Sequence, residues 1–213
     1  MATGVSTTYY TLLKQLGKEQ RKFAFLQLVG RLEDILVKEF VFHIYDSSGG
    51  SRFALTNVGL LGERKIDIAV LSGHLDPKSK CTIKALVEAR YLRNWHRAWD
   101  ENAGDETATT LGSLARQIRR FDRAKHGGFD VVLSSRNREI YGLVFASFVS
   151  KQAADPSKEH FYGEILKSRA AGNFRYYDLD RPYLRDTAYD DVKVEVLGSA
   201  RFCTLGAGLW RAS

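Results

Sequence analysis

The chain has 213 residues, 44% hydrophobic and 27% charged, which suits a folded core and argues against wholesale disorder. Thirty-two Lys and Arg against 25 Asp and Glu give a formal charge of +7, a balance that fits a nucleic-acid partner. No apolar run approaches the roughly 18 residues of a membrane span. Met1 to Thr11 lacks the basic-then-apolar order of a secretion signal, so a cytoplasmic protein off the membrane is expected. Cys81 and Cys203 stand in no CxxC or Cys/His ligand pattern, which speaks against structural zinc and against a disulfide scaffold.

The first helical pattern runs from about Lys18 to Val41, with Leu26, Val29, Leu36 and Phe40 on one face. Asp46 to Ser51 reads as a turn and Phe53 to Thr56 as a short strand. Lys65 to Leu71 alternates, with Ile66, Ile68 and Val70 on one face. Ser72 to Lys80 is loop, and Cys81 to Arg90 is a second strand with Ile83, Ala85, Val87 and Ala89 on one face. Tyr91 to Asp100 reads as helical or irregular. Thr110 to Lys125 has the pattern of an amphipathic helix, closed by His126-Gly127-Gly128 as a C-cap. Phe129 to Ser134 is a strand, and Ile140 to Val149 is an apolar strand or helix that periodicity does not decide. Pro156 to Ala171 looks helical, and Asp190–Leu197 with Ala200–Leu205 reads as a hairpin across Gly198-Ser199. The expected architecture is an α/β core over 1–150 with a mixed C-terminal extension, 151–213, packed on it as one domain.

Chemistry concentrates in the first two long strands. If they form a hairpin centred between Pro77 and Lys78, Asp67 falls opposite Glu88 and Lys65 opposite Arg90, on the face away from the apolar residues. Facing carboxylates repel. A Mg²⁺ or Mn²⁺ ion removes the repulsion, since it takes hard oxygen ligands, activates water and stabilises phosphodiester charge. The plain alternative is a polar strand face on which Asp67 and Glu88 pair with Lys65 and Arg90. Glu33 interrupts the stripe of the first helix, where a carboxylate needs a partner or a purpose. Gln117 borders the apolar stripe of the Thr110–Lys125 helix, and Arg116, Arg119, Arg120 and Arg123 line its other side, a candidate phosphate-binding face.

This order of parts resembles the PD-(D/E)xK nuclease superfamily, with its restriction-endonuclease-like αβββαβ core. The resemblance rests on Glu33 in a helix, Asp67 in a strand, Val87-Glu88-Ala89-Arg90 closing a strand, and Gln117-Ile-Arg-Arg-Phe121 in a helix, and spans roughly Leu26 to Ser134. It implies that Asp67, Glu88 and the Ala89 carbonyl bind Mg²⁺, that Glu33 matches the first-helix acid, and that Gln117 and Phe121 match the Gln-x-x-x-Tyr motif of RecB-like members. Arg90 departs from the family, which has Lys there. Arg keeps the charge but is never deprotonated, so it stabilises a phosphate and does not act as a base. Lys65, or Lys84, is then the candidate for the missing ammonium.

The implied function is metal-dependent cleavage of DNA, with RNA not excluded, in defence, restriction or repair, alone or beside a partner protein or a second copy. The alternative is a weak or inactive nuclease-like module that binds nucleic acid or a protein. Lesser candidates are Tyr91, Trp95 and Trp99, recurring every four residues among basic ones, and His74 in the hairpin loop. Ser134 to Arg138 forms a polar stretch, and Asp178, Asp180, Asp190 and Asp191 form an acidic partner surface beside Tyr176-Tyr177. No P-loop, G-x-G-x-x-G or G-x-S-x-G pattern occurs.

Overall fold

A computed structural model describes residues 4–30, 32–59, 65–72, 81–94, 123–126, 129–133, 139–162 and 186–212. Three helices come first. In α1 (Val5–Lys18) the residues Val5, Thr8, Tyr9, Leu12 and Leu16 fall at three- and four-residue spacings and form one buried stripe. α2 (Gln20–Leu28) and α3 (Leu32–Ser47) follow. The expected single helix from Lys18 to Val41 is therefore two, and α1 precedes them. The break lies at Gly30, whose φ of 77° is left-handed, a conformation that side chains resist. Its N–H reaches the Gln27 carbonyl (3.4 Å) and that of Val29 reaches Phe25 (3.2 Å), which closes the last turn of α2. α3 restarts with Leu32, Leu36, Phe40 and Ile44 buried, one per turn. Each such side chain contributes about 1.5–3 kcal/mol by leaving water.

The strands are β1 (Arg52–Gly59), β2 (Lys65–Ser72), β3 (Cys81–Arg93), β4 (Arg123–His126), β5 (Phe129–Leu133), β6 (Glu139–Ser150), β7 (Asp186–Val196) and β8 (Ser199–Ala212). They form one eight-stranded sheet whose main path is β1-β2-β3-β6-β8-β7. β1, β2 and β3 are an antiparallel meander, and β6 runs parallel to β3. β5 also pairs parallel to β3, but only at Cys81–Ile83, and β6 takes over from Ala85 onward. α1, α2 and α3 cover the face that carries Ile68, Val70, Val87, Leu143, Phe145 and Leu205. The opposite face has a smaller cluster, in which Phe161, from helical residues 157–162, packs on Ala146 and Phe148.

Several expectations change here. β6 is a strand, and its unbroken apolar run follows from lying between β3 and β8 with both faces covered. The chain from 186 to 212 is part of the main sheet, since β8 pairs with β6 from Ile140 to Ser150. Arg123–His126 is strand β4, not the end of a helix. It pairs antiparallel with β5, His126 opposite Phe129, so the glycine pair read as a C-cap separates two paired strands. The remainder of the proposed Thr110–Lys125 helix lies outside the described residues. Tyr91, Leu92 and Arg93 extend β3, so the Tyr91/Trp95/Trp99 helical spacing fails at its first member. Trp95 and Trp99 lie outside the described residues.

The C-terminal hairpin turns at Leu197-Gly198, one residue earlier than expected, with Val196 opposite Ser199. Both turn residues have positive φ, 50° and 74°, as a two-residue turn with right-handed strand twist requires. Leu197 is fully exposed there, so its side chain gains nothing from packing and its backbone is strained. Leu197→Asn should raise stability by about 0.5–1 kcal/mol, read as a higher urea midpoint with an unchanged slope.

Candidate active site at the β2–β3 pair

β2 and β3 pair with Ile68 opposite Val87, Ala69 opposite Leu86 and Val70 opposite Ala85. This is the expected register, and one step further along it Asp67 comes opposite Glu88. The backbone of Asp67 does not continue the ladder; its side chain does. Oδ2 of Asp67 accepts the Ala89 N–H at 2.8 Å. Strand alternation assigns Ile68, Val70, Val87 and Ala89 to the helix side, which puts Asp67 and Glu88 together on the other face. Asp67 is half-buried and Glu88 is 5% exposed. A charged group that deep is held by interactions within the protein.

Irregular backbone flanks the pair on two sides. On β1, the residue facing Asp67 in register is Asn57, which has φ 53° and drops out of the ladder between Thr56–Ile68 and Val58–Ile66. Asparagine tolerates this left-handed conformation better than most residues, and such strain gathers at functional sites. On β3, the register slips between Val70 and Leu71, so that Leu71 faces Ile83 and Lys84 is left over. Bulges of this kind re-aim side chains beside active sites. The slip has two consequences for the sequence reading. Ile83 leaves the face of Ala85 and Val87, and alternation no longer carries Lys84 onto the face of Glu88. Neither Asn57 nor the Asp67–Ala89 bond was visible in the sequence, where an Asn before a glycine-containing stretch has no distinguishing pattern.

The other predicted site residues are distributed as follows. Lys65 opens β2 opposite Gly59, and Arg90 lies on β3 opposite Val144. Glu33 is exposed in the first turn of α3, where the helix dipole favours a carboxylate. The expected stripe of Leu26, Val29, Leu36 and Phe40 is divided between α2 and α3. Glu33, Asp67 and Glu88 are not gathered into one ligand set. Among the described residues no three His, Cys, Asp or Glu side chains gather as a metal-ligand set. Gln117, Phe121, Arg116, Arg119, Arg120 and His74 lie outside the described residues. Arg123 belongs to β4, facing Val132.

Tyr91 packs into the helix-side core, and burial pushes its phenol up to about 12. The Arg93 guanidinium lies 4.8 Å over its ring and donates to the Gly30 carbonyl at 3.3 Å. It is a packing residue, not a base-stacking platform. Cys203 is free and buried, with its Sγ 3.6 Å from the Ala24 carbonyl, and burial pushes its thiol up to about 12. It is unsuited to nucleophilic work at neutral pH.

The acidic pair Asp190 and Asp191, read as a partner surface, is engaged internally. Lys158 Nζ reaches Asp190 Oδ1 at 2.6 Å and Asp191 Oδ2 at 3.1 Å, and Asp190 also accepts the Thr204 hydroxyl. Burial works against the ammonium, but the two aspartates outweigh it and raise the Lys158 pKa above 10.5. Burial likewise works against the Asp190 carboxylate, but Lys158 and Thr204 hold its pKa below 3.8. The stabilisation is therefore complete between about pH 4 and 10. It is lost on the acid side as pH falls through the depressed Asp190 value, and on the basic side as pH rises through the raised Lys158 value. Asp190 is largely solvent-facing, so the effect is modest. Lys158→Ala should lower the neutral-pH melting temperature by about 2–4 °C, and the difference from wild type should close toward pH 3.

Comparison with protein-family models, curated proteins and solved structures gave no match. No helix among the described residues is long and apolar enough to cross a membrane. The shown fold is mixed α/β, a sheet with helices packed on it.

Proposed function

We propose that this chain is a Mg²⁺- or Mn²⁺-dependent nuclease of the PD-(D/E)xK type, acting on the phosphodiester bonds of DNA. The observation that carries the reading is the β2–β3 register, which brings Asp67 beside the buried Glu88 and ties Asp67 Oδ2 to the Ala89 N–H. The topology is in keeping with it: helices precede a three-strand antiparallel meander, and the later strand β6 runs parallel to the third.

The residues fit a hard divalent ion. Asp67 and Glu88 offer carboxylate oxygens, and the Ala89 carbonyl leaves β3 on the same edge as the N–H that Asp67 holds. When bound, the ion supplies a low-pKa water and neutralises phosphate charge. The chain's own groups position and balance that chemistry. Ala89 fixes the Asp67 carboxylate, and Arg90 and Lys65 are the cations for the phosphate. Arg90 in place of lysine favours a second reading, a nuclease-like module that binds nucleic acid or a partner without cutting.

Arg90 decides between them. In the nuclease reading Arg90→Ala should cut Mg²⁺-dependent DNA cleavage by about 10²–10³-fold, the cost of losing one electrostatic donor, and Arg90→Lys should retain or raise it. If neither wild type nor Arg90→Lys cuts any DNA or RNA form, with Mg²⁺ or with Mn²⁺, the binding reading replaces it.

A further inference from the structure

The two edges of the sheet are built differently. The β7 edge is irregular and charged: its pairing with β8 slips twice, Asp191 has φ 46°, and Asp190, Asp191, Lys193 and Glu195 run along it. Those are the features with which proteins block strand addition. The β1 edge lacks them from Arg52 to Thr56. It pairs regularly with β2, carries Phe53, Ala54, Leu55 and Thr56 after Arg52, and among the described residues has no strand on its outer side. α3 packs on β1, and an open groove of about 510 Å³ separates them at that edge. Its α3 wall includes Phe42 and Tyr45, which are 57% and 53% exposed. Two aromatic rings beside an open strand edge are an expensive surface to leave in water.

We infer that this edge is a twofold interface at which β1 and α3 of one copy meet β1 and α3 of a second copy of this chain. The charges on α3 identify the occupant. Lys38 and Asp46 are both exposed, lie four residues before and four residues after Phe42, and have no ion-pair partner among the described residues. In an antiparallel α3 pair crossing at Phe42, Lys38 of each copy therefore faces Asp46 of the other. One surface supplies both halves of the match, as an isologous contact demands.

A single axis serves helix and strand. The groove spans Lys38 to Tyr45 on α3 and Phe53 to Thr56 on β1. At about 1.5 Å per helical residue and about 3.3 Å per strand residue both stretches are about 10 Å long. Their midpoints, near Phe42 and near Ala54, thus lie at about one level. The Arg52 N–H and carbonyl turn away from β2 to the Ser48 hydroxyl, so alternation points the backbone groups of Ala54 and Thr56 outward as well. A β1 pair centred on Ala54 sets Phe53 against Leu55 and Arg52 against Thr56, and extends the sheet across the dimer. It also brings the two α3 helices side by side, with Phe42 and Tyr45 closed between them.

The test is the oligomeric state of the full chain, by light scattering and sedimentation over a concentration series. Wild type should dimerise. Lys38→Asp and Asp46→Lys should each create two like-charge contacts and weaken the dimer by on the order of 10–100-fold in Kd. Mixing the two variants should restore it as a heterodimer, because one chain then carries both acids and the other both lysines. Rescue on mixing also excludes misfolding as the reason for the losses. A wild type that stays monomeric at all concentrations overturns the inference, as does a dimer indifferent to both substitutions or single-variant losses that mixing does not repair. None of these outcomes depends on nuclease activity.

Discussion

Asp67→Asn should abolish metal-dependent cleavage while leaving the melting temperature close to that of wild type. Asparagine keeps an oxygen where Asp67 Oδ2 accepts the Ala89 N–H, so the one hydrogen bond seen at this side chain survives. What it loses is the negative charge that a hard divalent ion requires. The loss of activity should exceed the 10–100-fold that follows even from removing an outer partner of a metal ligand. Asp67→Ala should differ in a telling way. It removes the charge and also leaves the Ala89 N–H without its acceptor, at a cost of about 1–3 kcal/mol. Cleavage assays and thermal melts on the two variants separate ligation from support of the strand. If Asp67→Asn cuts DNA as wild type does, the pair is a structural feature of the sheet and the nuclease reading fails.

The register that places Asp67 beside Glu88 was readable because the apolar alternation of β2 and β3 fixes which residues face the helices, and a single loop centre then fixes the pairing. The same symmetry argument fails a few residues away, at Lys84. A bulge is an insertion relative to the partner strand, and alternation within one strand does not reveal it. The helices failed for a related reason. Leu26, Val29, Leu36 and Phe40 keep helical spacing across a break that one left-handed glycine makes, so the periodicity outlasts the helix. α1 is only faintly legible in Val5, Tyr9, Leu12 and Leu16, because Thr and Tyr dilute the stripe. Glu33 was misplaced by that same false continuity. At Arg123–His126 a Gly-Gly pair in the sequence suits a helix end and a strand turn equally well, and the antiparallel pairing of β4 with β5 decides for strand.

Gln27→Leu should be among the most destabilising single changes in the protein. Gln27 has no exposed surface, on a helix whose other buried residues are Phe23 and Ala24. Its Nε2 donates to the Phe148 carbonyl at 3.0 Å and the Thr204 carbonyl at 3.2 Å, and its Oε1 accepts the Tyr189 hydroxyl at 2.8 Å. One amide therefore ties α2 to β6, β7 and β8. Leucine fills much the same volume, so the cost is polar: the Tyr189 hydroxyl loses its acceptor and two buried carbonyls lose a donor. A buried group left without its partner costs about 1–3 kcal/mol, and the hydroxyl alone accounts for one such loss. Removing both partners should cost less than the sum. Tyr189→Phe by itself frees Gln27 Oε1, whereas Gln27→Leu with Tyr189→Phe leaves neither end of that bond unsatisfied. The double variant should thus recover about 1 kcal/mol relative to additivity, measured by urea unfolding of the four members of the cycle. Strict additivity would mean that the bond between Gln27 and Tyr189 contributes nothing, and that Gln27 holds the C-terminal strands only through its two carbonyl partners.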